Sequence, residues 1–212
     1  MRIIHFQEGL TLAEYLQKEQ ELVRTVQEPT LFTWIVSPTV IYGRHQSAEV
    51  EVNEEYCRAN GIAVVQRKSG GGCVYADRGN LMTSYISPST HSERVFEEFL
   101  QLLRDALAAK GLPAVTTAHN DVLVDGRKVS GNACYTTPTG TIVHGTMLFD
   151  VNLEAMVNAI TPTSGKLAKH GVASVRQRVV NIKELTDAFS DIQELRAYIE
   201  HYGDKFTGTV DA

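Results

Sequence analysis

Apolar residues recur along this chain with two different periods, and the switches between them mark out its elements. From Leu12 to Val26 they fall at roughly helical spacing, at Leu12, Leu16, Leu22, Val23 and Val26, with Glu19 inside the same stripe. Thr11 and, three residues on, Glu14 have the form of a capping box at the start of this helix. A second helix is expected over 93–110, where Val95, Phe96, Phe99, Leu103, Ala106 and Leu107 share one face and Gly111 then Pro113 stop it. Shorter helical stretches are expected over 54–59, with Asn53 as N-cap, and over 153–160, 182–189 and 192–202.

Runs over 3–6, 31–36, 39–42, 62–65, 73–75 and 81–86 read instead as strands, with Ser37-Pro38 as a turn between the second and third. Asp125-Gly126 between 121–124 and 127–129 is a two-residue hairpin signal. A long strand over 141–151 would carry Val143, Met147, Phe149 and Val151 on one face, and Ile142, His144, Thr146, Leu148 and Asp150 on the other. Segment 161–174, rich in Thr, Gly, Ser and Lys and without periodicity, is long for a connection inside a domain, which marks it as functional or disordered. Strands and helices do not alternate regularly, and there is no repeat or linker. The expected fold is α+β, a single domain over 1–212 with central mixed or antiparallel sheets flanked by helices.

Composition narrows the function classes. The 212 residues can bury a substantial core, and 43% hydrophobic with 21% charged residues is ordinary for a folded soluble protein. A net charge of −5 excludes nucleic-acid binding that relies on overall basicity. No stretch approaches the ~20 apolar residues of a membrane span, and the N-terminus lacks the apolar core of a signal peptide. Cys57, Cys73 and Cys134 are odd in number and widely spaced, which fits a reducing cytosol better than a disulfide framework or a zinc site. The expectation is a cytoplasmic globular protein with neither nucleic acid nor membrane as partner.

Candidate chemistry centres on Gln66-Arg67-Lys68-Ser69-Gly70-Gly71-Gly72-Cys73-Val74-Tyr75. Successive glycines between strands cost backbone entropy but strip side chains from one surface, so a ligand can lie against the amides. The spacing fits neither a P-loop nor the dinucleotide fingerprint. Lys128 follows the hairpin turn, and the small residues Ser130, Gly131, Asn132 and Ala133 leave room beside its ammonium, which suits a phosphate or a developing oxyanion. On spacing alone a solvated hairpin lysine is the favoured reading. Asn120-Asp121 suit a metal or a ribose, and also a plain turn. His144 is a candidate base, though a lone strand histidine is more often structural. Cys134 is a candidate thiolate, its pKa lowered if Lys128 is near, though a small packed cysteine is the more usual case. Lys166, Lys169, Arg176, Arg178 and Lys183 form a basic run without acidic residues.

Taken in order, these stretches resemble the lipoate–protein ligase family, within the biotin/lipoate ligase superfamily. Five blocks carry the resemblance: 38–46 with Gly43-Arg44-His45; 66–77 with the glycine run, then Gly79-Asn80; 120–133 with Asp125-Gly126-Arg127-Lys128; 144–148 with His144-Gly145-Thr146; and 166–181, opening Lys166-Leu167-Ala168-Lys169-His170-Gly171-Val172. The resemblance implies a biotin/lipoate ligase-like catalytic domain and a two-step reaction. Lipoate and ATP, with Mg²⁺, form lipoyl-AMP and pyrophosphate. The lipoyl group then passes to a lysine on a lipoyl acceptor domain of a 2-oxoacid dehydrogenase complex or on the glycine-cleavage H protein.

The same resemblance implies roles. Lys128 is the catalytic residue, bridging acyl carbonyl and phosphate. Gly70, Gly71 and Gly72 let the acyl chain lie against the backbone, and Arg67 holds phosphate. Asn120 and Asp121 serve the nucleotide or Mg²⁺, Asp121 being the candidate metal ligand. Arg44, Ser69, Tyr75, Asn80, Ser130, Gly131, Ala133, His144, Gly145 and Thr146 complete the surface for lipoyl-AMP. Lys166, Lys169, Gly171 and Val172 belong to a loop that closes over the adenylate and excludes water.

Departures from the family pattern point to a second reading. Gln66 stands where the family usually has an arginine, Ala76 where a histidine is common, and Cys73 where an alanine is usual. The chain ends at Ala212, whereas bacterial ligases of this family usually carry a further small domain, which some short members receive as a separate accessory polypeptide. The alternatives are an octanoyl or lipoyl transferase using a thioester on Cys134 or Cys73, and a non-catalytic lipoyl-binding module. The 166–181 block favours the ligase.

Overall fold

The computed structural model describes residues 1–117, 120–160 and 178–207. Its strands are β1 (Arg2–Ile3), β2 (Thr30–Trp34), β3 (Thr39–Tyr42), β4 (Ala63–Gln66), β5 (Val74–Ala76), β6 (Asn80–Ser87), β7 (Ala114–Thr116), β8 (Asp121–Val124), β9 (Arg127–Thr137) and β10 (Gly140–Leu148). Its helices are α1 (Leu12–Leu22), α2 (Ala48–Glu51), α3 (Glu54–Ala59), α4 (Ser92–Ala108), α5 (Leu153–Ile160) and α6 (Ile192–Lys205). Seven strands form one mixed sheet in the order β1-β2-β6-β10-β9-β8-β7, and three form a second in the order β4-β3-β5.

The local signals act as their chemistry requires. Thr11 Oγ1 accepts the Glu14 N–H at 3.3 Å, and the Glu14 carboxylate accepts the Thr11 N–H at 2.7 Å, so two orphan donors of α1 are satisfied reciprocally. Asn53 caps α3 through the Tyr56 N–H. Asp125 and Gly126 both take positive φ, 50° and 73°, as a two-residue hairpin with right-handed strand twist demands.

Both faces of the central strands β2, β6 and β10 are buried, so adjacent residues of one strand enter different cores. Leu31 of β2, Leu81 and Tyr85 of β6, and Val143 and Met147 of β10 pack with α4 and α6. Their neighbours Phe32, Trp34, Met82, Ile86 and Ile142 point the other way, onto α1 and the small sheet. A third cluster joins Val40, Tyr75 and Leu148 to α3 and α5. The second of these layers, between the large sheet and α1, contains the site.

Several expectations shift. β9 runs to Thr137 rather than ending at 129, because β10 pairs along it from Gly140↔Thr137 to Met147↔Ser130. The small residues 130–133 have weak strand propensity and are extended by that tertiary partner. β10 stops at Leu148 rather than 151, since the N–H groups of Phe149 and Asp150 both turn to the Gly79 carbonyl. Only a 3₁₀ turn at Ile182–Glu184 forms where a helix over 182–189 was expected. β1 covers Arg2–Ile3 rather than 3–6. β7 and α2 lacked a clear periodic signal. The expected loop 161–174 lies outside the described residues.

Candidate active site

A row of cross-strand partners forms the floor of the site. Trp34 of β2 pairs with Met82 of β6, Met82 with Thr146 of β10, Thr146 with Gly131 of β9, and Gly131 with Asp121 of β8. Five adjacent strands at ~4.8 Å spacing carry this row across about 19 Å, from an indole at one end to a carboxylate at the other. Above it lies a cleft of about 280 Å³, roofed by Leu12 and Leu16 of α1 and by the glycine loop from Gly71 to Val74. The floor is apolar under α1 and polar beneath Asn120, Asp121 and Lys128, so an elongated ligand with one apolar and one charged end matches it.

A register shift places Lys128 at the polar end. Val122 pairs with Ser130, yet Leu123 pairs with Lys128, so Val129 is an extra residue on β9. That bulge brings Lys128 to the same face as Gly131 and Asp121. Lys128 Nζ sits 2.7 Å from Asp121 Oδ1, the two side chains being 31% and 26% exposed. A β-carbon on Gly131 would come 2.6 Å from Lys128 Cε and 2.7 Å from Nζ, so glycine makes room for the lysine to fold back along the strand. The Val180 N–H donates to the Lys128 carbonyl at 3.0 Å, which ties the chain after the 161–177 segment to this end of the cleft.

Arg67 has a different position from the one expected of a phosphate ligand. It is 6% exposed. Its Nε donates to Ser69 Oγ (3.0 Å) and the Gly70 carbonyl (3.1 Å), Nη1 to the Ile41 carbonyl (3.1 Å), and Nη2 to the carbonyls of Gly70 (2.8 Å) and Gly72 (2.6 Å). The guanidinium therefore clamps the glycine loop from beneath, and its donors are directed at protein acceptors. Gly71 takes φ +89° and passes within 2.9 Å of Nη2 at its would-be β-carbon, so the loop closes over the clamp only with glycine there. β-Carbons at Gly70 and Gly72 would meet nothing within 4 Å.

His144 lies one row along from the floor, paired with Ser84 of β6 and Ala133 of β9. Its Nε2 is 2.7 Å from Ser69 Oγ, and its Nδ1 is 3.2 Å from Glu19 Oε2. Glu19, in the α1 stripe, is 2% exposed and also accepts from Ser84 Oγ at 2.6 Å. Trp34 Nε1 in turn donates to Ser84 Oγ at 2.9 Å.

Of the other expected site residues, Asn120, Gly131, Ala133, Gly145 and Thr146 line the cleft. Asn120 holds φ 67°, and its carbonyl accepts from Asn132 Nδ2 at 2.9 Å. Ser69 is buried behind the loop, and Ser130 is fully buried with its hydroxyl directed to Asn132 Oδ1. Neither of these serines lines the cleft, nor do Gly70, Arg44, Tyr75 and Asn80. Arg44 is exposed beside His45. Tyr75 packs with α3 and α5, where burial and the neighbouring Asp77 hold its hydroxyl protonated well above the usual range. Asn80 is buried, and neither of its amide atoms has a hydrogen-bond partner among the described residues. Lys166, Lys169, Gly171 and Val172 lie outside the described residues. The Asp121 carboxylate, expected as a metal ligand, is engaged by Lys128, and the described residues contain no cluster of three or more metal-ligating side chains.

The cysteines do not support thiolate chemistry. Cys134 pairs with Val143 and packs with the α4 side of the sheet, the face opposite the cleft. Six strand residues also put it about 20 Å from Lys128, so no lysine lowers its pKa, and burial raises it. Cys73 does line the cleft, but burial pushes its thiol up to about 12. Sequence reasoning missed Trp34, Met82, Leu16 and Glu19. Period-2 burial predicts that Trp34 and Met82 are interior, but only the strand order puts them in the floor row. The one available signal for Glu19 was a carboxylate inside an apolar helical stripe.

Residues 7–202 match the model of the lipoyl protein ligase A/B catalytic domain. The chain is 36% identical over 192 residues to the lipoate-protein ligase LplJ of Bacillus subtilis, covering 90% of this chain and 57% of that protein. Lipoate–protein ligase 1 of Staphylococcus aureus is 35% identical over the same length, with the same coverage. The chain thus spans a little over half the length of these curated relatives. Among solved structures, a bi-partite lipoate protein ligase of Thermoplasma acidophilum, described with its E2 lipoyl domain, superposes with a TM-score of 0.86 at 26% identity, covering 96% of this chain and 82% of that one. A lipoate-protein ligase A bound with ATP superposes at 0.81, with 25% identity and coverage of 96% and 84%.

Proposed function

This chain belongs to the lipoyl protein ligase A/B catalytic-domain family, and we propose that it is the catalytic domain of an ATP-dependent lipoate–protein ligase. The observation that carries this reading is the floor row, which runs from Trp34 and Met82 to a Lys128–Asp121 pair across one continuous cleft. The apolar end suits the acyl chain and its dithiolane ring, and the polar end suits the carboxylate and the nucleotide phosphates.

In the first half-reaction a lipoate carboxylate oxygen attacks the α-phosphorus of ATP, and the bond to pyrophosphate breaks. In the second, an acceptor lysine amine attacks the acyl carbonyl, AMP leaves, and the amine gives up a proton. Both transition states gather negative charge between the acyl carbonyl and the α-phosphate, and a preorganised ammonium there favours the transition state over the ground state. Lys128 is assigned that role, with Asp121 holding it in place. Mg²⁺ would neutralise charge on the phosphates. Mg²⁺ would be held largely through phosphate oxygens and water, with Asp121 the one carboxylate lining this end of the cleft among the described residues. Residues 1–212 are assigned to one catalytic domain acting in the cytoplasm. The acceptors are proposed to be lipoyl domains of 2-oxoacid dehydrogenase complexes or the glycine-cleavage H protein, with a separate accessory subunit as the partner for adenylation.

The test is incubation of the protein with lipoate, Mg-ATP and an apo acceptor domain, followed by mass spectrometry of the acceptor, with a parallel arm given preformed lipoyl-adenylate. Lipoylation in the second arm alone assigns transfer to this chain and adenylation to an added partner. No lipoylation in either arm overturns the reading.

A further inference from the structure

Glu19 and Arg67 are buried charges, 2% and 6% exposed, that never touch. Among the described residues no carboxylate lies within ion-pair distance of Arg67. An isolated buried charge is costly, and it persists only when paired or hydrogen-bonded. The two are joined by Ser69 and His144, at 3.0 Å from Arg67 Nε to Ser69 Oγ, 2.7 Å from Ser69 Oγ to His144 Nε2 and 3.2 Å from His144 Nδ1 to Glu19 Oε2.

Donor and acceptor chemistry gives this chain one direction. A guanidinium can only donate, so Ser69 Oγ accepts from Arg67 and its own proton is free to point at His144 Nε2. Nε2 is then the bare nitrogen, and the ring proton is on Nδ1, facing the Glu19 carboxylate. From the other side Trp34 Nε1 donates to Ser84, and Ser84 donates to Glu19. Each bond along the two relays, from Arg67 through Ser69 and His144 and from Trp34 through Ser84, points toward one carboxylate.

The geometry assigns Glu19 as a positioning residue, the relayed counter-charge of Arg67, which fixes the Nδ1–H tautomer of His144 and through it the glycine loop. A network with all donors oriented toward one acceptor polarises along its length, so its members hold their orientation together. Both walls of the apolar half of the cleft are attached to it. Trp34 stands in the floor at one end, and the loop clamped by Arg67 lies at the other. No step of the chemistry passes through Glu19. Its contribution is to hold the acyl-binding surface ready before substrate arrives, which lowers the ordering cost of binding.

The experiment uses the intact protein labelled with ¹⁵N-histidine, with the His144 signals assigned by their loss in His144→Gln. The ligand-free protein at pH 7.5 is expected to show His144 with Nδ1 protonated and Nε2 bare. A protonated Nε2 overturns the assignment, and this arm requires neither a folded Glu19 variant nor the lipoate reading. The second arm rests on that reading and compares Glu19→Met, which has no acceptor, with Glu19→Gln, which keeps one. Glu19→Met is expected to lose the fixed tautomer and raise the KM for lipoate at least tenfold, with kcat within threefold and the KM for ATP within twofold. Glu19→Gln is expected to recover most of that loss. If Glu19→Met is folded and its lipoate KM is unmoved, or if kcat falls as far as KM rises, the positioning role is overturned. If Glu19→Met does not fold, Glu19→Gln decides alone: a tautomer kept with a lipoate KM within threefold of wild type supports the assignment, and a lost tautomer overturns it.

Discussion

Lys128 Nζ and Asp121 Oδ1 lie 2.7 Å apart, and both rest over Gly131, the residue of β9 opposite Asp121. The pair is about a third exposed, where an ion pair contributes little to stability. Its value is positional, since the carboxylate and the bare glycine surface leave the ammonium one place to sit.

Lys128→Ala is therefore expected to fold normally and to lose both half-reactions, by roughly 10²–10³ in rate, the scale of removing one preorganised charge-stabilising donor. Adenylation is read by pyrophosphate release and transfer by acceptor mass. Transfer retained from preformed lipoyl-adenylate would take Lys128 out of the second step.

Gly131→Ala leaves every ionisable group in place but puts a methyl where Lys128 Cε and Nζ now lie. A displacement of ~1 Å at the reacting end can cost about 10²-fold. The expected result is a rate loss of that order with a thermal midpoint near wild type. Wild-type kinetics would show that the lysine reaches the substrate by another path.

Arg67→Gln tests whether the guanidinium serves the loop or a phosphate. Removing it strands carbonyls of Ile41, Gly70 and Gly72. Unsatisfied buried groups cost ~1–3 kcal/mol each, less where the loop can relax to water, so a loss of roughly 2–4 kcal/mol is expected in urea unfolding. A phosphate contact predicts the reverse, a raised KM for ATP at unchanged stability.

Cys73→Ala and Cys134→Ala are expected to keep activity within about twofold, and mass spectrometry after incubation with an octanoyl-carrier protein is expected to find no thioester. Desolvation keeps both thiols protonated at neutral pH, and the thiolate is the nucleophile. An acyl group trapped on Cys73 would reverse this.

Stability in alkali follows from the same burial. The Cys73 thiol is raised from 9.0 in the unfolded chain to about 12 in the folded one, so the unfolded state loses its proton first. The thiol's contribution is intact below pH 9 and is lost as pH rises from about 9 to about 12. Cys73→Ala is expected to flatten the fall in thermal midpoint across that window. An identical fall in both proteins would mean the thiol is not desolvated as described.

Much of the fold follows from local sequence, because its cues are short-range. The Thr11–Glu14 box, the Asp125-Gly126 turn and the helical stripe closed by Gly111 each fix backbone geometry within a few residues, and each forms where expected. The motifs also marked Lys128, Asp121 and the glycine loop, since their residue types are suited to charge and close backbone approach. What the sequence could not supply was which face and which neighbour. The bulge at Val129 turns Lys128 toward Asp121, whereas simple alternation from Gly131 would have turned it away. The pairing of β2, β6, β10, β9 and β8 brings Trp34 into line with Asp121, residues 87 positions apart in the chain. Arg67 reads as a phosphate ligand until the loop it precedes folds back over it and takes its donors. Glu19 is an unexplained carboxylate in an apolar helical stripe until Ser84 and His144, side by side on neighbouring strands, meet it from below. Periodicity determines that an element exists and which side is apolar. The contents of a site depend on long-range register and on where each buried donor finds its acceptor, and those are settled only when the strands pair.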